Sequence, residues 1–185
     1  SMEGARHNCR LIRDISAERI YDEFRYILRA DGIYGVKYGQ YAALCIMRDT
    51  GVLGMILPEL SLGAGMTQRQ DFHMYDVLEH SLRCVMYAPD DIRLAALLHD
   101  VGKPYCKVLT GSYHDHEKEG ARIAREICAR LKVPKKLTEE TVRLIELHMY
   151  DVDCKARESK IRRMIVSNRD IFFKLVALKQ ADYSA

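Results

Sequence analysis

The chain has no apolar run long enough to span a bilayer and no charged-then-apolar leader at its start, so neither a membrane span nor a secretory signal is expected. Ser1 before Met2 resembles a residue left by tag cleavage and carries no weight. Its six cysteines (Cys9, Cys45, Cys84, Cys106, Cys128 and Cys154) include no CxxC pair. That speaks against a zinc knuckle or a dithiol redox motif. Several fall on helical apolar faces, where a free cysteine acts as a small hydrophobe, and a reducing cytoplasmic setting is expected. Low-complexity stretches and alternating strand patterns are missing too. The net charge of +3 is mild; it leaves an RNA or nucleotide partner open without pointing to one. What is there is a large apolar fraction, 48 % of 185 residues. That suits one domain, or a compact domain with a helical appendage.

Periodicity predicts an all-α protein. Ser16 caps a helix from about Ala17 to Ala30, which Asp31-Gly32 ends. A second helix covers Gln40 to Arg48, a short piece follows over Val52 to Leu57, and Ser61 to Gly65 reads as a loop. Apolar residues at helical spacing mark Asp71 to Tyr87. Pro89-Asp90-Asp91 breaks that helix and caps the next, which is expected to end at Gly102 with Pro104 just beyond. Tyr105 to Tyr113 reads as a loop or short extended piece. Helices are expected again over Asp115 to Leu131, Thr138 to His148, Ser159 to Val166 and Arg169 to Asp182.

Against this background the polar residues on apolar faces are informative. His99-Asp100 follows the apolar run Leu94 to Leu98, and a buried carboxylate is costly unless paired or bound to a cation. His80 shares a face with Val77 and Cys84, His148 follows Ile145 by three, and Asp182 continues the stripe Ile171, Leu175, Leu178. His116 opens its helix. Each alone reads most simply as a hydrogen-bonded histidine, a cap or a surface group, as His7, His73 and His114 do. As a set on five helical segments they are the ligand types for Mn, Fe, Co, Ni or Zn, with Mg less suited, and a helical bundle holds such sites in its core. Lys103 reads equally as a phosphate contact or a solvated lysine at a helix C-terminus. Arg83, one turn after His80, either faces the same cavity or is exposed. The basic clusters Lys132 to Lys136 and Lys155 to Arg163 either touch RNA backbone or, being interspersed with Glu139, Glu140 and Glu158, form solvated faces.

The order His80, His99-Asp100, Asp182 resembles the H…HD…D signature of the HD superfamily of metal-dependent phosphohydrolases, and His99-Asp100-Val101-Gly102-Lys103 looks like its HD-[IV]-G-K subgroup. His116 and His148 fall where many members carry further ligands or phosphate-contacting groups. A narrower resemblance runs along almost the whole chain. Ile15 to Ile20, Glu23-Phe24, Gly51-Val52-Leu53, Leu57 to Leu60, Tyr75 to His80, Arg93 to Asp100, His116 to Ala121 and Ala181-Asp182-Tyr183 are similar to the body of CCA-adding tRNA nucleotidyltransferases and poly(A) polymerase relatives. Their nucleotidyltransferase head has no counterpart in the roughly fifteen residues before the match, so nucleotide addition by this chain alone is not expected. The end three residues after Asp182 suggests a fragment or truncated relative.

The resemblance implies residues 1–65 as a neck-like helical segment and 66–185 as the HD domain. It implies a divalent metal on His80, His99, Asp100 and Asp182, with Asp100 bridging to a second through His116 and His148. Asp100 and Lys103 would carry catalysis, and the resemblance favours phosphate contact for Lys103. The substrate implied is a phosphorylated small molecule, a nucleotide or an RNA end, with tRNA as a further candidate partner. The competing expectation is an RNA-binding or structural module of a truncated or split nucleotidyltransferase, without catalysis of its own.

Overall fold

A computed structural model describes residues 1–67, 74–151 and 155–185. Every regular element among them is helical, as expected. The first part is α1 (Met2–Asn8), a 3-10 turn over Cys9–Asp14, α2 (Ala17–Ile27), α3 (Ala30–Tyr34), α4 (Gly39–Asp49), α5 (Val52–Ile56) and α6 (Pro58–Ser61). The second part is α7 (Val77–Tyr87), a 3-10 turn over Asp90–Ile92, α8 (Arg93–Leu98), α9 (Lys103–Thr110), α10 (His116–Arg130), α11 (Lys135–Leu147), α12 (Glu158–Ser167) and α13 (Phe172–Ser184). No helix among the described residues is long and apolar enough to cross a membrane. Cys154, His73 and the expected helix start at Asp71 lie outside the described residues.

Every residue of α8 is buried, which makes it the axis of the molecule. Around it Phe24, Leu44, Leu53, Leu57, Leu82, Leu97, Leu98, Ile127, Ile145 and Leu175 form one hydrophobic cluster that runs through both parts of the chain. Each such side chain contributes about 1.5–3 kcal/mol by leaving water. α7 lies against α8 and α13, and α11 against α8 and α10. Those packings set where the polar residues meet. Arg93, at the start of α8, is buried but fully engaged. Its guanidinium forks onto Asp31 with two contacts of 2.6 Å, and it also donates to the carbonyls of Leu28 and Ala88.

In the first part of the chain some boundaries match the sequence reading and others differ. Ser16 does cap α2, its hydroxyl accepting from Arg19 N. Asp31-Gly32, however, lies inside α3 rather than ending a helix, because Asp31 is anchored by Arg93 and the left-handed Gly35 provides the stop. The short piece after Gly51 is helical, and Ser61 closes α6 before the turn that includes Gly65 at φ +70°.

The largest correction concerns Gly102-Lys103-Pro104. It starts a helix instead of following one: α8 stops at Leu98, and α9 fills most of Tyr105 to Tyr113. Proline fits a first helical turn as well as it fits the residues after a helix end. The glycine answers a different need. A Cβ at Gly102 would collide with the His116 carbonyl and lie 2.6 Å from Gly120 N.

Candidate metal centre

The helix packing brings all six expected residues together. His80 comes from the middle of α7, and His99-Asp100 from the turn between α8 and α9. His116 is the first residue of α10, His148 caps α11, and Asp182 sits near the end of α13. Two groups form, His80/His99/Asp182 and Asp100/His116/His148, with one donor atom of each residue within 4.8 Å of the others in its group.

In the first group His80 Nε2 is 2.9 Å and His99 Nε2 3.5 Å from Asp182 Oδ1. In the second, Asp100 Oδ1 is 3.2 Å from His116 Nε2 and 3.9 Å from His148 Nε2. Asp100 joins the groups, because its other oxygen, Oδ2, lies 3.3 Å from His99 Nε2 and 3.8 Å from His80 Nε2. The His80, His99, Asp100 and His148 side chains are at most 1 % accessible and His116 is 6 %, whereas Asp182 is 26 %. The cluster therefore meets solvent on the α13 side.

Three of the histidines are held in the same way. His99 Nδ1 donates to Ala96 O at 2.8 Å, His116 Nδ1 to Tyr113 O at 2.8 Å, and His148 Nδ1 to Ile145 O at 2.6 Å. The carbonyl is three residues back in every case. A neutral ring that donates through Nδ1 presents Nε2 as an acceptor, the arrangement in which imidazole binds metal with its other nitrogen anchored.

That makes the centre a convergence of acceptors. The Nε2 atoms of His116 and His148 are 3.3 Å apart with a carboxylate oxygen beside them. His99 Nε2 is buried with no hydrogen-bond partner among the described residues. Facing lone pairs repel unless a proton or a cation lies between them. The residues present thus fit a divalent cation, and the imidazole-rich set favours first-row transition ions over Mg.

The electrostatics agree. Burial alone would raise the carboxyl pKa of Asp100, yet His99 and Lys103 hold it well below the ordinary range. Asp182 is likewise held down, against burial, by His99 and His80. Burial opposes charge on His99, but Asp100, Cys84 and Asp182 carry its pKa well above the ordinary imidazole value. Burial and the neighbouring His99 push His148 down to about 3, leaving it neutral. A pocket that keeps two carboxylates ionised and draws positive charge onto a buried ring is prepared for a cation.

Lys103 is neither solvated nor at a helix C-terminus. It opens α9, nearly buried, with Nζ 2.6 Å from Asp100 Oδ2. Arg83 lies with its guanidinium over the Tyr75 ring at 3.9 Å and its Nε 2.7 Å from Glu79.

Glu79 was not singled out by the sequence reading. Its carboxylate also accepts from Tyr41 at 2.7 Å and Arg48 at 2.6 Å, and so fastens α7, one residue before His80, to α4. Lys179, bonded to the Tyr150 carbonyl, ties α13 to the chain just past His148. The only sequence signal for either was a charge on a half-apolar helix face.

Comparison with known proteins agrees with this geometry. Residues 72–175 match the HD domain, and residues 1–62 match the family described as the probable RNA and SrmB-binding site of polymerase A. The chain is 34 % identical over 181 residues to an A-adding tRNA nucleotidyltransferase of Deinococcus radiodurans, covering 91 % of this chain and 39 % of that protein. It is 33 % identical over 179 residues to a CC-adding tRNA nucleotidyltransferase of Thermus thermophilus, covering 89 % of this chain and 38 % of that protein. A bifunctional uridylyltransferase/uridylyl-removing enzyme of Caulobacter vibrioides is 33 % identical over 133 residues, 59 % of this chain and 13 % of its own length. The chain thus spans about two fifths of the tRNA nucleotidyltransferases it resembles. With its HD dipeptide at the meeting point of two ligand groups, and more than half its length matched, the chain belongs to the HD-domain family.

Proposed function

We propose that this chain is a metal-dependent phosphohydrolase, a phosphomonoesterase or phosphodiesterase acting on nucleotide or RNA-end phosphates. His80, His99, Asp100 and Asp182 would hold one divalent cation, and Asp100, His116 and His148 a second. The observation that carries the reading is Asp100, buried and presenting one oxygen to each group. A cation held there would supply a bound water of lowered pKa and charge to receive phosphate oxygens.

The chain's own residues do the rest. The carbonyls of Ala96, Tyr113 and Ile145 fix three imidazoles with Nε2 inward. Lys103 orients Asp100 and keeps it ionised, which makes it a positioning residue in this arrangement. The opening at Asp182 is where a phosphate would enter.

A second reading rests on the match of residues 1–62 to an RNA-binding family and on the names of the relatives. The chain, with 1–65 as a neck-like segment and 66–185 as the HD domain, would then hold RNA for a nucleotidyltransferase and catalyse nothing. One experiment separates the two: metal content of the purified chain, with hydrolysis of a chromogenic bis-phosphodiester in Mn or Ni. Bound metal with turnover lost in Asp100→Ala supports the hydrolase. Absence of metal and turnover, with measurable tRNA binding, supports the module.

A further inference from the structure

Two stretches of this chain are strongly basic: residues 130–136, with Arg130, Lys132, Lys135 and Lys136, and residues 155–169. Residues 155–169 carry Lys155, Arg157, Lys160, Arg162, Arg163 and Arg169 against a single acid, Glu158. That short stretch is net +5, so by difference from +3 the rest of the chain is net −2. Four arginines elsewhere are neutralised by carboxylates, whereas Lys132, Lys135 and Lys136 of the 130–136 stretch have no ion pair among the described residues. Arg122 is paired with Glu119 and Glu126, Arg125 with Glu139, Arg130 with Glu59, and Arg143 with Asp170. On α12 only Arg162 is so paired, with Glu158. Among the described residues no carboxylate lies within ion-pair range of Arg157, Lys160, Arg163 or Arg169.

α12 also contributes no buried residue. Ile161, Met164 and Ile165 turn its one half-buried side toward the protein, and Lys160, Arg162 and Arg163 stand exposed. Unneutralised cations at helical spacing form an electrostatic footprint for a polyanion. Two observations favour RNA over an anionic lipid surface. Val166 is the one exposed large hydrophobic residue on α12, too little to insert among acyl chains. Phe173, in the first turn of the following helix, is 81 % exposed and offers a face on which a base can stack.

We propose that α12 and its flanks form an RNA-docking surface: Lys160 and Arg163, with Arg157 and Arg169, contact phosphates of an RNA strand, and Phe173 stacks a base. α12 leads directly into α13, whose Asp182 marks the open side of the metal centre. The surface would thus hold RNA while one end reaches that opening. This deepens the reading above by making RNA, rather than a free nucleotide, the partner of the centre.

The test uses the full chain and follows anisotropy of a labelled tRNA transcript and of a labelled single-stranded oligoribonucleotide over a KCl series. The double variant Lys160→Gln/Arg163→Gln should bind about tenfold more weakly, with a salt slope smaller by about 1.4 if both contacts are lost. Lys135→Gln/Lys136→Gln removes equal charge elsewhere and should change affinity less than twofold. Phe173→Ala should weaken the single strand without altering the slope. The α12 variant should leave hydrolysis of the small chromogenic diester unchanged. Equal loss in the two charge variants, or binding to phosphatidylserine vesicles but not to RNA, overturns the proposal. An unsubstituted chain that binds RNA through α12 but shows no metal-dependent turnover removes the hydrolase reading and leaves the docking surface standing.

Discussion

Asp100 presents its two carboxylate oxygens to different groups of imidazoles, while Asp182 and His148 each belong to one group. The two-cation reading therefore makes an asymmetric prediction. Asp182→Asn should lower bound Mn by one equivalent through the His80/His99 group, and His148→Ala by one through the His116 group. Asp100→Ala should deplete both. Metal analysis after gel filtration in Mn checks this, and equal stoichiometry in all three variants would sink the bridging role. At Lys103 the ion pair with Asp100 is nearly buried, and removing one partner of such a pair costs about 3–5 kcal/mol. Lys103→Met should lose stability on that scale and weaken metal retention, with Lys103→Arg restoring part of both. Urea titration and metal content read the two effects separately.

At the scale of elements, the close approach of the α8–α9 turn to α10 sets the distance from Asp100 to His116. Gly102 is the contact point, because a side chain there would displace the His116 carbonyl and the Gly120 amide together. Gly102→Ala should cost about 1–3 kcal/mol or more, as overpacking does. It should also loosen the His116 group, seen as weaker retention of one metal equivalent and an earlier urea midpoint. The same feature shows what could be read from the chain. That these six residues gather was legible for different reasons: His80, His148 and Asp182 as polar residues on apolar helical stripes, His99-Asp100 as a polar pair after an apolar run, and His116 only as one of the set and through the family resemblance. The reason for Gly102 was not legible: its neighbour Gly120 is eighteen positions away, and Gly-Lys-Pro satisfies the local rules for a helix end as well as for a helix start. Asp31 was misread for the same reason, since its partner Arg93 lies sixty-two positions further on. Glu79 was passed over because its worth lies in three partners on two helices.

Across the whole molecule, two devices tie helices together and respond to different solution conditions. The Asp31–Arg93 fork fastens the first helices to α8. Its hydrogen bonds, more than its burial, set the Asp31 pKa below the ordinary 3.8. A carboxyl depressed on folding stabilises above its unfolded pKa, and that contribution is lost as pH falls through the folded value. The stability gap between the unsubstituted chain and Asp31→Asn should therefore be full at pH 6, about 2 kcal/mol for a charge-assisted bond. It should close below pH 3.8, as urea titrations across that range would show. The candidate metal centre would be the second, since its residues come from α7, the α8–α9 turn, α10, the end of α11 and α13. A ligand that binds only the folded state adds about 2.7 kcal/mol at a hundredfold excess over its Kd. For a chain of this length that amounts to roughly 5–10 °C in Tm. Mn or Ni should raise the melting temperature by that amount over the chelated protein, and Asp100→Ala should abolish the increment. A chelator-insensitive Tm in the unsubstituted chain would mean that the five elements meet without a cation, held by the proton on His99 instead.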